Sequence, residues 1–178
     1  MAVASGAAPN ASFFVEPELS RQNKIARGGI VNPSVETLSP DRHRSLFRLG
    51  HSKFTDEQNL CSPWWTDYEN FVALKSFAQR NSISLTVTSR VHNAQAPEFG
   101  PADILYRIML KAPILAFQGS GRPIVTDNRI YAPSTVTQTF VPGLGLGRQG
   151  PRSPMWHEMF SSFERTTVEK GLITLYGE

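Results

Sequence analysis

The sequence has few of the residues on which several common architectures depend. A single cysteine, Cys61, among 178 residues excludes an internal disulfide and any zinc site built from several cysteines. The four histidines show no spacing typical of metal ligands; they are His43, His51, His92 and His157. No apolar run approaches the roughly 18 residues that a membrane-spanning helix needs. Disulfide-stapled, zinc-based and membrane-spanning frameworks are therefore not expected.

Charged residues are also scarce, at 19% of the chain against about 25% in an average protein. The net charge of +3 is spread along the chain without a long basic stripe, which argues against nucleic-acid binding. The nearest approach to a basic cluster comprises Arg42, Arg44 and Arg48. This segment is either a solvated basic stretch or the source of one anion-binding arginine.

The composition that is present suits one globular domain with a loop-rich start. The apolar fraction of 40% is enough for a core, while glycine and proline concentrate in residues 1–40 and 142–154. We predict that residues 1–40 form a flexible or irregular leader. Residues 41–178 are predicted to form a single α+β domain with a central mixed or antiparallel sheet, few helices and long Pro/Gly loops.

The first twelve residues, MAVASGAAPNAS, are small and uncharged. They lack the basic segment and long apolar core of a standard secretory signal. Such a stretch suits an ordinary disordered tail, and equally an export signal for a specialised secretion machine. The sequence therefore leaves two localisations open, the cytoplasm and export as an effector without a standard signal peptide.

Apolar periodicity predicts the elements of the first half of the domain. Residues 45–49 (SLFRL) predict a short strand. A helix is expected over 66–80, with Thr66 as its N-cap and Glu69 completing a capping box. Residues 83–88 alternate between apolar and hydroxyl side chains, which predicts a half-buried strand.

The second half of the chain predicts one further helix and several strands. Pro101 and the apolar spacing of residues 104–109 predict a helix that begins near Gly100. A short helix is expected over 156–163. Further strands are predicted at residues 114–117, 136–141 and 172–176.

Three local features are candidates for chemistry. Cys61 could be a nucleophile or a packed thiol. The Gly-rich loop from Gly143 to Gly150 is followed by Pro151 and has no strand–loop–helix context, so it is neither a dinucleotide fingerprint nor a P-loop. Two adjacent tryptophans, Trp64 and Trp65, cannot both point inward from a strand or loop, so one of them is expected to be partly exposed.

Three segments, in this order, resemble a mono-ADP-ribosyltransferase. Residues 46–48 (LFR) look like the family's early strand with its arginine. The middle segment is either Ser62 beside the tryptophan pair or residues 86–89 (TVTS). Residues 136–143 (VTQTFVPG) are similar to the family's late strand, with Gln138 where the family normally has its catalytic glutamate.

The resemblance implies an enzyme that binds NAD as its substrate, needs no metal, and transfers ADP-ribose to a protein or other acceptor, as a secreted bacterial toxin or effector would. It implies that Arg48 holds NAD phosphate and that Gln138 orients the ribose, with Ser62 as the third catalytic residue. Trp64 or Trp65 would stack on the ligand. The remaining residues that it implies at the NAD site are Thr88 and Ser89.

The glutamine is a departure from the family, because an amide can hydrogen-bond a ribose hydroxyl but supplies no negative charge to an oxocarbenium-like transition state. Another carboxylate would have to enter the site, and Glu158 and Glu164 are the nearest downstream. Two other functions stay open at this point. One is a non-enzymatic effector or phage-type protein that binds a host partner through exposed aromatics and loops, and the other is a hydrolase that depends on Cys61.

Overall fold

The fold is described from a computed structural model, which covers residues 8–41, 45–82, 102–121, 124–126, 129–131, 137–143 and 156–168. Nine strands occur in these ranges. They are β1 (Ser34–Leu38), β2 (Ser45–Gly50), β3 (Trp64–Asp67), β4 (Ile104–Leu110), β5 (Ile114–Ser120), β6 (Ile124–Thr126), β7 (Arg129–Tyr131), β8 (Thr137–Phe140) and β9 (Phe160–Thr167).

Seven of the strands form one curled sheet in the order β1-β5-β8-β3-β2-β4-β9, and every neighbouring pair in it is antiparallel. Strands β6 and β7 form a separate two-stranded ribbon. The helices are a 3-10 helix (Ala11–Phe14), α1 (Glu18–Ala26), α2 (Asp56–Leu60), α3 (Tyr68–Arg80) and α4 (Trp156–Met159). The predicted α+β class is confirmed, as a single compact domain whose main sheet is antiparallel.

The sheet buries apolar side chains on both of its faces. On the face that we call the inner face, Leu46, Trp65, Tyr106 and Ile114 belong to the largest buried cluster. The opposite, outer face is covered by helices: the rings of Phe47 in β2 and Phe71 in α3 stack there with their centres 4.1 Å apart. Since side chains alternate along a strand, each residue of the sheet belongs to one face or the other.

The helix predicted to begin near Gly100 is instead strand β4 for residues 104–110. This strand is central in the sheet, and its apolar side chains are buried on both faces: Leu105 contacts the outer cluster and Ile108 the inner one. A strand buried on both faces has a continuous apolar run rather than a clean alternation. Its spacing therefore satisfied the helical pattern equally well.

Helix α3 begins two residues later than predicted. Its N-cap is Asp67, whose carboxylate accepts from the backbone N–H of Asn70, whereas Thr66 lies in β3. The predicted capping box with Glu69 is therefore wrong, whereas the helix itself is confirmed up to Arg80. The tryptophans that precede it were expected in a loop, and they instead open strand β3.

Residues 8–40 contain more regular structure than an irregular leader would have. They include the 3-10 helix, α1 and the edge strand β1, which pairs with β5 over five residues. The side chain of Asn10 is fully buried, donates to the carbonyl oxygens of Leu115 and Pro142, and accepts from the N–H of Leu115. One amide thus bridges this segment to the start of β5 and to the second residue after β8.

The remaining element predictions have mixed outcomes. The strands predicted at 45–49 and 114–117 are confirmed as parts of β2 and β5, and the strand predicted at 136–141 is observed as β8 over Thr137–Phe140. The short helix expected over 156–163 ends at Met159, where the chain turns directly into β9. The predicted strands at 83–88 and 172–176 lie outside the described residues.

Candidate functional site

Arg48 lies in the middle of β2, with its side chain on the inner face of the sheet. Its guanidinium carbon is 5.8 Å from the centre of the Trp65 ring, and its Nη1 donates to the carbonyl oxygen of Trp64 across 3.3 Å. Its Nε is buried and has no hydrogen-bond partner. The side chain is therefore held at one side by an indole ring, while part of its donor set is unused.

Burial also changes the acidity of Arg48. Desolvation lowers its pKa from 12.5 to about 10, with a smaller opposing effect from Tyr106 on the neighbouring strand. The guanidinium is still charged at neutral pH. Among the described residues, no carboxylate lies within 4 Å to compensate that charge. A largely desolvated cation without a counter-ion is costly for the fold, and an anionic ligand would relieve that cost.

The two tryptophans beside Arg48 point to opposite faces, as the sequence predicted for an adjacent pair. Trp64 is half-buried against the outer face, edge-on to Phe140. A Cβ atom on Gly29 would come within 2.6 Å of its ring, so only glycine fits there. Trp65 is 2% exposed, edge-on to Phe160. Trp65 therefore has no open face for the predicted stacking on a ligand, whereas part of Trp64 stays exposed.

Ser62 lies two residues before β3 and forms hydrogen bonds with the first two residues of that strand. Its carbonyl oxygen accepts from the indole N–H of Trp65 at 2.7 Å, and its hydroxyl accepts from the backbone N–H of Trp64 at 3.3 Å. These contacts fix the position of the tryptophan pair, and through it the surroundings of Arg48. The structure thus brings Arg48, Ser62 and both tryptophans together. Ser62 bonds to the backbone of Trp64 and to the ring of Trp65, and the guanidinium of Arg48 contacts both of these groups.

Gln138 is placed on the other side of the sheet. In β8 it alternates with Thr139, and Thr139 is the partner of Trp65 across the β3–β8 pairing. Thr139 therefore shares the inner face with Arg48, whereas Gln138 projects to the outer face and contacts Gly121. Adjacent residues of a strand face opposite ways, so Gln138 faces away from the side that Thr139 shares with Arg48. Gln138 and Arg48 therefore do not line one site.

A polar cluster lies on the inner face, on the same side of the sheet as Arg48, where Gln138 was expected. It consists of Asp67, Gln118 and Thr139, with Asn70 at the start of α3. Gln118 Nε2 donates to the hydroxyl oxygen of Thr139 at 2.8 Å and approaches Asp67 Oδ2 at 3.4 Å. Asp67 Oδ1 accepts from both the backbone and the side-chain N–H of Asn70.

The sequence reasoning missed Asp67, although a signal was available. An aspartate directly before a helical pattern is a standard N-cap. Its distance of two residues from Trp65 places both on the same face of a strand. Recognising Trp64 and Trp65 as strand residues would have put this carboxylate on the same face as Trp65.

A second network flanks Arg48 on the side of β4. The Tyr106 hydroxyl donates to Asp56 at 2.6 Å and accepts from Asn59 Nδ2, and Asp56 forms a 2.8 Å ion pair with Arg165. Desolvation and the Asp56 hydrogen bond raise the pKa of Tyr106 to about 12. The charge of Asp56 is therefore already engaged by other groups.

The other candidates from the sequence contribute less. Burial, followed by the charge of Glu57, raises the pKa of the Cys61 thiol to about 11, which disfavours the thiolate that a cysteine nucleophile needs. Glu164, in β9, pairs with Arg107 on the outer face, and Glu158 is exposed on α4. Thr88, Ser89 and most of the loop from Gly143 to Gly150 lie outside the described residues.

Neither a metal-binding cluster nor a membrane-spanning helix occurs in the described ranges. They contain no group of three or more His, Cys, Asp or Glu side chains that could hold a metal ion. None of the helices in the same ranges is long and apolar enough to cross a membrane.

Comparison with known proteins gives little similarity. No protein-family model and no curated protein matches the chain. One solved structure, described as Rhs1-CT in complex with its cognate immunity protein RhsI1, aligns with 65% of this chain and 74% of its own at 16% identity. The TM-score of that alignment is 0.41, which does not establish a shared fold.

Proposed function

We propose that the chain binds NAD through Arg48 and transfers its ADP-ribose group to a protein acceptor. The observation that supports the proposal is the half-buried guanidinium of Arg48, whose Nε is buried without a partner and which has no carboxylate within 4 Å among the described residues. The pyrophosphate of NAD offers paired anionic oxygens in the geometry that an arginine recognises. The resemblance of the sequence to mono-ADP-ribosyltransferases supplies the choice of NAD among phosphate-bearing ligands.

In the transfer step, the bond between nicotinamide nitrogen and ribose C1′ breaks, and its electron pair leaves with neutral nicotinamide. A lone pair of the acceptor forms the new bond to C1′, and the acceptor proton passes to solvent. Arg48 would hold the phosphates in place while positive charge develops on the ribose. The proposal gives Gln138 no part in this step, because its side chain is on the outer face.

The proposal is tested with Arg48→Ala and a matched control on the same sheet. Arg107→Ala is suitable, because Arg107 is on the neighbouring strand but pairs with Glu164 on the outer face. We expect calorimetry to detect NAD binding by the wild type and the control, and at least about tenfold weaker binding by Arg48→Ala.

Transfer itself is measured with NAD that carries a radiolabel in its adenylate part, incubated with the protein and a cell lysate. A labelled protein that appears with the wild type and is lost with Arg48→Ala would support the transferase. Absence of both NAD binding and labelling by the folded wild type would refute it.

A second candidate function is binding of a host protein without catalysis, and strand β1 favours it. In the described part of the sheet, β1 pairs only with β5, and Ser34, Val35, Glu36 and Thr37 are exposed. An open edge of this kind can accept an extended segment of a partner as an additional strand. Replacing Val35, which is 49% exposed, by proline would remove a backbone donor. Partner binding that is lost in this variant while NAD binding is absent from the wild type would select this function.

A further inference from the structure

We infer that Asp67 holds the positively charged end of the ligand whose phosphate binds Arg48, so that the site takes a dinucleotide with a cationic ring. The inference rests on the proposed function and identifies the orientation of NAD: pyrophosphate at Arg48 and the nicotinamide ring toward Asp67.

Asp67 is buried and Arg48 is half-buried with a buried Nε, and neither has a counter-ion among the described residues. Asp67 is 8% exposed and accepts only from neutral donors, the two N–H groups of Asn70 and the amide of Gln118. No cation lies within 4 Å of it among the residues that the structure describes. Each charge alone is expensive to bury. A ligand with charges of both signs would compensate both at once.

Their relative position suits such a ligand. Asp67 is directly opposite Leu46 in the β2–β3 pairing, and Arg48 is two residues beyond Leu46 on the same face. Diagonal neighbours of this kind are about 7–8 Å apart, within reach of a long side chain. The Arg48 guanidinium is instead held at the Trp64 carbonyl oxygen and the Trp65 ring, and it forms no ion pair with Asp67. A ligand that separates an anion from a cation by a ribose can bridge this interval.

One oxygen of Asp67 is available for the ligand. Oδ1 caps α3 by accepting two N–H groups of Asn70 at 3.0 and 2.8 Å. Oδ2 has only the 3.4 Å approach of Gln118 Nε2, which makes its shorter bond, 2.8 Å, to Thr139. Gln118 is half-buried, and binding at Oδ2 requires only that its weak contact with Asp67 be displaced.

Other carboxylates that the sequence or the structure places near Arg48 do not fit as well. Asp56 accepts from Tyr106 and is paired with Arg165, so its charge is already compensated. Glu164 faces outward with Arg107. Of these three carboxylates, Asp67 is the one on the inner face whose charge is not already paired.

The inference is tested by comparing NAD⁺ with NADH, which has the same phosphates but a neutral nicotinamide ring. Asp67→Asn removes the charge and keeps an oxygen for the cap of α3, since asparagine caps helices as well as aspartate does. We expect the wild type to bind NAD⁺ about tenfold more tightly than NADH, and Asp67→Asn to bind both with the affinity of the wild type for NADH. Arg48→Ala should weaken both complexes.

Three outcomes distinguish the inference from the proposed function. If the wild type binds neither dinucleotide, the proposed function fails and this inference fails with it. If the wild type binds NAD⁺ and NADH equally, or if Asp67→Asn retains the preference for NAD⁺, the inference alone is overturned. Should Asp67→Asn not fold, Asp67→Ser provides another capping residue without charge, and the comparison within the wild type remains decisive.

Discussion

The guanidinium of Arg48 lies over the ring of Trp65, 5.8 Å from its centre. Both residues face inward from neighbouring strands of the curled sheet. The contact gives a largely desolvated cation an aromatic neighbour, but a ring quadrupole compensates much less charge than a carboxylate does. The pair therefore holds Arg48 in a position where its charge is poorly compensated by the protein and where an anion would bind favourably.

Replacing Arg48 by methionine should separate stability from ligand binding. Methionine fills a similar volume without a charge, and substituting apolar side chains for buried charges is often neutral or stabilising. We expect the free energy of unfolding in urea to stay within about 1 kcal/mol of the wild type or to rise. NAD binding should be lost. A loss of stability greater than about 2 kcal/mol would instead show that the fold depends on the Arg48 charge.

Replacing Tyr106 by phenylalanine should change how stability depends on pH. The folded-state pKa of about 12 is above the usual value of 10, so the fold favours the neutral phenol. This contribution is complete below pH 10 and is lost as the pH rises from 10 to 12. Between pH 9 and 11 the wild type should therefore lose more stability than the variant. Parallel urea curves for the two proteins over this range would contradict the shift.

The same substitution should cost about 1–3 kcal/mol at pH 8, because Asn59 and Asp56 lose a partner in a buried network. Tyr68→Phe is the matched control, since Tyr68 is 48% exposed. It should leave the free energy of unfolding within about 0.5 kcal/mol of the wild type.

The Cys61 thiol should react slowly. Its pKa of about 11 lies two units above 9.0, so at pH 7.5 its thiolate fraction is roughly a hundredfold lower than that of an unperturbed cysteine. Alkylation by iodoacetamide, followed by mass spectrometry, should be slower in the native protein than in urea by at least this factor. Equal rates in both states would contradict the raised pKa.

Cys61→Ala should leave ADP-ribose transfer unchanged. The proposed site uses Arg48 and contains no thiol. Loss of transfer in Cys61→Ala together with retention in Arg48→Ala would contradict the assignment of the site to Arg48.

Asn10→Ala should destabilise the protein by about 2–4 kcal/mol. Its fully buried amide makes three hydrogen bonds, and its removal leaves groups of Leu115 and Pro142 unpaired in the interior. Asn23→Ala is the control, because its bond to Arg27 is at the surface, and it should cost less than about 1 kcal/mol. Equal effects on the urea midpoint would mean that the N-terminal segment is not tied to the sheet.

Much of the fold could be predicted because local pattern and environment agree. Strand β2 and helix α3 have apolar spacings that match their final burial, with Phe71 and Leu74 on the buried side of α3. The pattern was misleading at β4, where neighbours on both sides of the sheet bury both faces of one strand. The sequence contains no information on how many layers cover a strand, so residues 104–110 satisfied a helical period.

The candidate site divides in the same way. The sequence by itself determined that the chain is one lightly charged α+β domain, that Arg48 is an arginine within a short apolar strand, and that two adjacent tryptophans must face opposite ways. Only the tertiary structure decided which side chains share a face with Arg48. Strand pairing has a period of two, so a shift of one residue exchanges Gln138 for Thr139. The partner strands that set this register are distant in sequence, and their pairing places Asp67 rather than Gln138 on the same face as Arg48.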